Sequence, residues 1–327
     1  MSRNLNILQA ISEAMDQKMT DDGRVVLLGE DIGTNGGVFR ATDGLLQKFG
    51  EERVFDTPLA ESGIVGSAIG LALGGMIPVA EIQFLAFIYP ALEQVFSHAA
   101  RMRFRTRGEY SLPMVIRTPY GAGIRGPELH GESVEAFFVH TPGLKVVVPS
   151  TPYDAKGLLV SAIEDPDPVL FLEPTRTYRA FREEVPEALY RVPIGKAKVV
   201  QEGRDVSIFA WGAMLQLAMS AARQLEEERG YSCEVVDLRT LSPLDRDTIL
   251  ASVQKTGRAL IVQEAHKTAG MASEIISLIN DEALIYLKAP IKRISGFDVP
   301  VPFFSVEDEF MPTQARVKQG IVDTMLF

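Results

Sequence analysis

The chain has 327 residues, which predicts about two domains at roughly 150 residues each. Hydrophobic residues make up 46% and charged residues 23%, enough to build a sizeable soluble core. A net charge of −10 without a concentrated basic patch disfavours a nucleic-acid partner, and a single cysteine, Cys233, excludes an internal disulfide.

Apolar residues at helical spacing (Leu5, Leu8, Ile11, Met15) predict a helix over 5–18, followed by a strand over 25–28. Glu13 and Asp16 interrupt that first apolar face, so no signal peptide is expected. This implies a cytoplasmic protein, or one in an organelle matrix after loss of a transit peptide. Further β-rich apolar runs occur at 79–84, 114–117, 145–148 and 169–172, with helical stretches near 62–75, 89–106 and 152–164. Strands alternating with helices argue for a parallel α/β sheet.

Pro186 and Pro193, amid mixed charge, mark a linker over 186–198. The alternation then restarts: strand 206–210, helix 213–228, strand 233–238, helix 245–255, strand 259–262. Two α/β domains are therefore expected, 1–185 and 199–327. Cys233, in the run Cys-Glu-Val-Val-Asp-Leu, reads as a buried strand thiol and not as a nucleophile.

The segment 62–80 carries no charge and nearly reaches the about 20 residues of a membrane span. Its glycines, Pro78 and the following Glu81 read instead as a buried helix running into a strand, so no membrane partner is expected. At its mouth stands Glu61, in Asp56-Thr-Pro-Leu-Ala-Glu61-Ser-Gly-Ile-Val-Gly66-Ser-Ala-Ile-Gly70. A carboxylate at the edge of an apolar run loses hydration and becomes suited to holding or passing a proton. On spacing alone it could equally be a first-turn acid complementing the helix macrodipole. Gly66, Gly70 and Gly74 share one helix face and would let another helix approach closely.

Glu61 with its spaced glycines resembles the signature of thiamine-diphosphate enzymes of the transketolase-like group. The nearest resemblance is to the β subunit of the 2-oxo acid dehydrogenase component; Ser67 occupies a slot that is apolar in the signature. The resemblance implies that Glu61 hydrogen-bonds the cofactor's aminopyrimidine ring and promotes the tautomer that removes a proton from the reactive carbon. In Val79-Ala-Glu-Ile-Gln-Phe-Leu-Ala-Phe87 it implies that Phe87 stacks on the pyrimidine, with Gln83 and Leu59 close by. On its own, Phe87 would read as a core aromatic. In Gly29-Glu30-Asp31 it implies that Glu30 lines an acidic channel between paired sites.

A third block, Thr118-Pro-Tyr-Gly-Ala-Gly-Ile-Arg-Gly-Pro-Glu-Leu-His130, is a Gly/Pro-rich loop, where functional residues are often displayed. The resemblance places His130 near the substrate and the incoming lipoyl group; without that block it would read as a solvated loop histidine. His98, His140 and His266 read as structural. Gly121 to Gly126 fits a dinucleotide fingerprint, but Pro127 and a polar loop follow where an apolar helix is required. Gly33 to Gly37 lacks the Gly-Lys-Ser/Thr of a P-loop and reads as a turn.

The segment Ser161-Ala-Ile-Glu-Asp165-Pro-Asp167-Pro resembles one that holds a potassium ion in relatives, with ligands from the carbonyls of Met114, Ala162 and Ile163 and from Asp165 and Asp167. A helix end with Asp/Pro turn residues is the alternative.

The diphosphate half of such a site, a Gly-Asp-Gly motif with downstream asparagines, is absent from the chain: its only asparagines are Asn4, Asn6, Asn35 and Asn280. The resemblance implies that an α subunit supplies that half and its Mg²⁺ in an α2β2 heterotetramer. It further implies decarboxylation of a 2-oxo acid, acyl transfer to a lipoyl arm, and docking of a lipoyl acyltransferase component. Val236-Asp-Leu-Arg-Thr-Leu-Ser-Pro-Leu-Asp245 and Val262-Gln-Glu-Ala extend the likeness into a transketolase-like C-terminal domain. Ile294-Ser-Gly-Phe-Asp298 leans the substrate slightly to a branched-chain 2-oxo acid, whereas Gly126-Pro-Glu-Leu-His130 points to pyruvate. A non-catalytic assembly subunit of the same fold, or the pyrimidine-side piece of another transketolase-like enzyme, is the rival reading.

Overall fold

The structure, a computed structural model, describes residues 2–327. Asn6 starts the first helix with a capping box: its side chain accepts from the Gln9 N–H at 2.9 Å, and the Gln9 side chain accepts from the Asn6 N–H at 3.2 Å. The N-terminal half then runs β1 (Ser2–Leu5), α1 (Ile7–Asp21), β2 (Val25–Gly29), α2 (Leu45–Phe49), β3 (Val54–Asp56), α3 (Glu61–Leu73) and β4 (Ile77–Glu81). It continues through α4 (Met102–Arg105), β5 (Val115–Tyr120), α5 (Glu135–Val139), β6 (Lys145–Val147), α6 (Pro152–Ile163), β7 (Val169–Pro174) and β8 (Glu183–Pro186).

The C-terminal half comprises β9 (Lys198–Gln201), β10 (Val206–Ala210), α7 (Ala213–Arg229), β11 (Cys233–Asp237), β12 (Thr240–Ser242), α8 (Arg246–Thr256), β13 (Ala259–Val262), α9 (Met271–Ala283), β14 (Lys292–Ile294), α10 (Glu307–Phe310) and α11 (Gln314–Met325). Two of its helices stop where glycine can take a positive φ: Gly230 after α7 (69°) and Gly257 after α8 (73°).

A seven-stranded sheet has the order β12-β6-β7-β5-β4-β2-β3, and a five-stranded sheet the order β14-β13-β10-β11-β9. Within each sheet only the edge strands β12 and β9 run antiparallel to their neighbours. Central strands such as β2, β4 and β10 are buried along their whole length, which is why they read as largely apolar runs, not as alternating ones. Cys233 opens β11 fully buried, and burial, followed by the charges of Asp205 and Glu226, pushes its thiol up to about 12.

The two sheets are not separate bodies. β12 comes from the C-terminal half yet closes the edge of the first sheet beside β6, and one apolar cluster joins Ile116 and Leu172 to Phe209, Trp211 and Val236. The segment 186–198 lies along α6: Lys156 Nζ donates to the carbonyls of Pro186, Glu187 and Ala188, and Tyr190 stacks on Tyr153.

The helix expected over 89–106 is replaced by three short pieces: a 3-10 turn Leu85–Ala91, a π-turn Gln94–Ala99 and then α4. Pro90, inside the first piece, has no N–H to extend an α-ladder. The helix expected to be buried, α3, covers only one face. Ile64, Val65, Ala68, Ile69 and Ala72 pack inward, while Gly63, Ser67, Gly70 and Gly74 are exposed.

Candidate active site

In open parallel sheets, ligands meet the carboxyl ends of the strands. Here the ends of β2, β3 and β4, with the start of α3, bring several of the expected residues together. Glu61 is the first residue of α3, with its side chain half-buried. Glu30 follows β2, and its carboxyl is raised by burial, then by the charges of Asp31 and Glu61. Asp56, at the end of β3, accepts from the N–H groups of Gly33 at 2.6 Å and Thr34 at 3.1 Å. Burial opposes its charge, but those bonds hold it below its ordinary value. Thus Gly33 to Gly37 forms a turn tied to the strand preceding Glu61.

Leu59 is 71% exposed just before Glu61. Ser62 donates to the carbonyl of Pro90, joining the N-terminus of α3 to the 3-10 turn that carries Phe87. Gln83 and Phe87 are half-buried between β4 and that turn. The His130 ring lies 4.4 Å from Phe84 and 5.0 Å from Phe87, centroid to centroid. The Phe87 and His130 blocks therefore converge in space, and Ser62 ties the Glu61 end of α3 to the same turn.

This half-site presents a carboxylate, an aromatic face and an exposed apolar side chain at a surface. That donor set fits the pyrimidine end of thiamine diphosphate: a carboxylate for a ring nitrogen and an aromatic for the ring face. Leu59 and the glycine face of α3 remain open among the described residues.

The five expected potassium ligands lie around the end of α6 and the start of β7. Both oxygens of Asp165 are 2.6 Å from Lys145 Nζ, and Asp167 is 2.5 Å from Arg103 Nε. The Met114 carbonyl accepts from Val169 at 3.0 Å and that of Ala162 from Asp165 at 3.3 Å, while Ile163 is buried at the helix end. The two carboxylates already have protein cations as partners, so the arrangement lends potassium no support from them.

Several charged groups near the site escape sequence reading. Arg117, on β5, is buried between Glu81 of β4 and Glu173 of β7, donating to Glu173 at 2.7 and 2.8 Å, and Tyr178 donates to Glu173 at 2.5 Å. Burial lifts the Glu81 carboxyl, with Arg117 pulling the other way; flanked by two carboxylates, Arg117 stays charged. Glu135 and Glu264 are buried where the halves meet. Burial pushes Glu264 up to about 8, and burial also raises Glu135, whose oxygens both lack a hydrogen-bond partner among the described residues. The available signal was position: Glu81, Arg117 and Glu173 each follow directly on an apolar run, in three neighbouring strands of the sheet interior.

The model of the transketolase pyrimidine-binding domain matches residues 3–180, and that of the transketolase C-terminal domain matches residues 195–317. A relative from Bacillus subtilis, the pyruvate dehydrogenase E1 component subunit beta, is 53% identical over 313 residues, covering 96% of both chains. The chain belongs to this family. The protein of the same name from Acholeplasma laidlawii is 52% identical, covering 96% of this chain and 95% of that one, and the one from Staphylococcus aureus is 49% identical over 99% of each. Among solved structures, a split-gene transketolase described as an inactive β4 tetramer has a TM-score of 0.80 at 24% identity, covering 99% of each chain. The transketolase of Campylobacter jejuni gives 0.70 at 15% identity, with 98% of this chain covered and 47% of that one. These structures bear out the α/β, transketolase-like fold of this E1 beta family member.

Proposed function

We propose that this chain is the β subunit of a thiamine-diphosphate-dependent 2-oxo acid dehydrogenase component that decarboxylates pyruvate and reductively acylates a lipoyl group. The observation that carries the reading is Glu61 at the open end of α3, tied through Ser62 and Pro90 to the turn where Phe87 meets His130. When bound, thiamine diphosphate supplies the carbon nucleophile and the electron sink for decarboxylation. Glu61 would hold the aminopyrimidine through a ring nitrogen and tune its protonation, Phe87 would offer its ring to the pyrimidine, and His130 would serve substrate and lipoyl arm.

An α subunit supplies the diphosphate site and its Mg²⁺, covers the glycine face of α3, and completes an α2β2 unit that a lipoyl acyltransferase component binds. Pyruvate is favoured over a branched-chain acid because the E1 beta relatives are pyruvate dehydrogenase subunits across three genera. The lean drawn from Ile294 to Asp298 finds no support among them. Bacterial relatives agree with a cytoplasmic location, and among the described residues no helix is long and apolar enough to cross a membrane.

The test is 2-oxo-acid-dependent dye reduction with thiamine diphosphate and magnesium, run on this chain alone and mixed with its α partner. Pyruvate and 3-methyl-2-oxobutanoate are compared side by side. Activity only in the mixture, with pyruvate preferred, is expected. Activity from this chain alone overturns the split site; silence from an assembled mixture overturns the catalytic role.

A further inference from the structure

The loop 121–133 joins β5 to α5 and carries His130, yet much of what holds it comes from the other half of the chain. The Ala122 N–H donates to Oε1 of Glu264, just beyond β13, and Ser133 Oγ donates to the same oxygen at 3.2 Å. Oε1 of Glu307, the first residue of α10, accepts from the N–H groups of Gly123 at 2.5 Å and Arg125 at 3.2 Å. Asp308 pairs with the Arg125 guanidinium at 2.5 Å. Glu264 and Glu307 are themselves 4% and 2% exposed. Two buried carboxylates of the C-terminal half thus hold four polar groups of one loop in the N-terminal half.

The loop needs such restraint. Arg125 and Leu129 have φ of 54° and 69°, a region that non-glycine residues leave unless the surroundings over-determine it. At Gly121 a Cβ would lie 2.7 Å from the Glu264 carboxylate, and at Gly126 one would lie 2.8 Å from the His130 Cβ. The glycines therefore let carboxylate and histidine approach the loop backbone. Bonds within the loop are fewer: Gly121 N–H to the Glu132 carbonyl at 3.1 Å, His130 N–H to that of Pro127 at 3.2 Å, and His130 Nδ1 3.0 Å from that of Glu128.

The geometry points to Glu307, with Glu264 beside it, as a positioning residue of the C-terminal half that fixes the backbone of the His130 loop against Phe84 and Phe87. Neither acid needs to touch substrate or cofactor. Each acts by fixing where the histidine stands, and misplacement of a reacting group by about 1 Å costs on the order of 10²-fold in rate. The inference rests on the proposed function only for what His130 does, and not for what holds it.

The experiment compares wild type, Glu307→Ala, Glu307→Asp and Glu307→Gln in the complex assembled with the α subunit. Amide hydrogen exchange of peptides spanning 121–133 is read by mass spectrometry, alongside pyruvate kinetics. The expected result for Ala, and for Asp with its carboxylate withdrawn by one carbon, is exchange about tenfold faster within 121–133 and unchanged in β10 and β13. The kcat should fall by about 10²-fold while KM for pyruvate moves less than about threefold. Gln, which keeps an acceptor oxygen in place, should restore slow exchange. If Glu307→Ala does not fold, the Asp variant decides. Unchanged exchange in the loop, or equal acceleration throughout the C-terminal half, overturns the assignment. Because exchange needs no turnover, it decides the positioning role even if pyruvate proves not to be the substrate.

Discussion

The ring of His130 stands edge-on to that of Phe87, with centroids 5.0 Å apart and planes at 86°. Phe84 completes the group, 5.4 Å from Phe87 and 4.4 Å from His130. A loop histidine with two aromatic neighbours has little freedom to wander, and half-buried Phe87 keeps ring surface for something else. Aromatic contacts of this kind contribute about 0.5–1.5 kcal/mol beyond burial. Phe87→Leu should therefore weaken thiamine-diphosphate binding by about twofold to about tenfold. Calorimetric titration of the assembled complex measures this, and an unchanged Kd would remove Phe87 from the cofactor site.

Glu61→Gln keeps the shape of the side chain and removes its ability to exchange a proton. General acid–base groups contribute about 10²–10⁴-fold, so a loss of several orders of magnitude in dye reduction is expected. Elution of the complex on size exclusion should not change, because the side chain is only half-buried in this chain. Full turnover by the variant would favour a subunit that serves assembly alone.

The helix α3, strand β4 and the His130 loop were legible because their signals are local: spaced glycines, an uncharged run, a Gly/Pro-rich block. The interruption at 85–105 was less so. Ile88, Ala91, Val95 and Ala99 are all buried, so their spacing suits an unbroken helix, yet Pro90 and tertiary packing divide it. The support from Glu264 and Glu307 was not legible at all. A carboxylate accepting backbone N–H groups from more than a hundred residues away leaves no periodic trace. In the sequence Glu264 is marked by its place just past the apolar run of β13 and by the block Val262-Gln-Glu-Ala, and neither says which loop it holds. The exposure of Gly70 was hidden for the converse reason: apolar composition reports a face to be covered without saying which chain covers it.

Glu264 also makes stability depend on pH with a definite sign. Its carboxyl is raised to about 8 by burial, with the nearby Glu135 adding to the rise and the bonds from Ala122 and Ser133 opposing it. In the unfolded chain it would ionise near its ordinary value of 4.5. Between those two values the folded state binds the proton more tightly, so this group's contribution to stability is fully present below about 4.5 and is lost as pH rises towards about 8. Glu264→Gln, a neutral isostere, removes that slope. Thermal midpoints measured at intervals from pH 5 to 8 should show the variant gaining on wild type as pH rises. A constant difference between the two would mean that Glu264 keeps its charge in the fold.

Gly70 separates folding from assembly. It lies inside α3 at a helical φ, and a Cβ built there meets nothing within 4 Å. Within this chain, replacing it by a better helix former should therefore be neutral or stabilising, by up to about 1 kcal/mol for Ala. The same position lies on the exposed face with Gly63, Ser67 and Gly74, where close approach of another helix requires small side chains. Gly70→Leu should thus leave the thermal midpoint of the isolated chain unchanged or higher while lowering its affinity for the α subunit at least tenfold. Gly70→Ala should fall between. Sedimentation velocity of the mixture, paired with thermal unfolding of this chain alone, reads both quantities. A Leu variant that assembles normally would place the α contact elsewhere, and one that unfolds alone would show that this face packs within the chain itself.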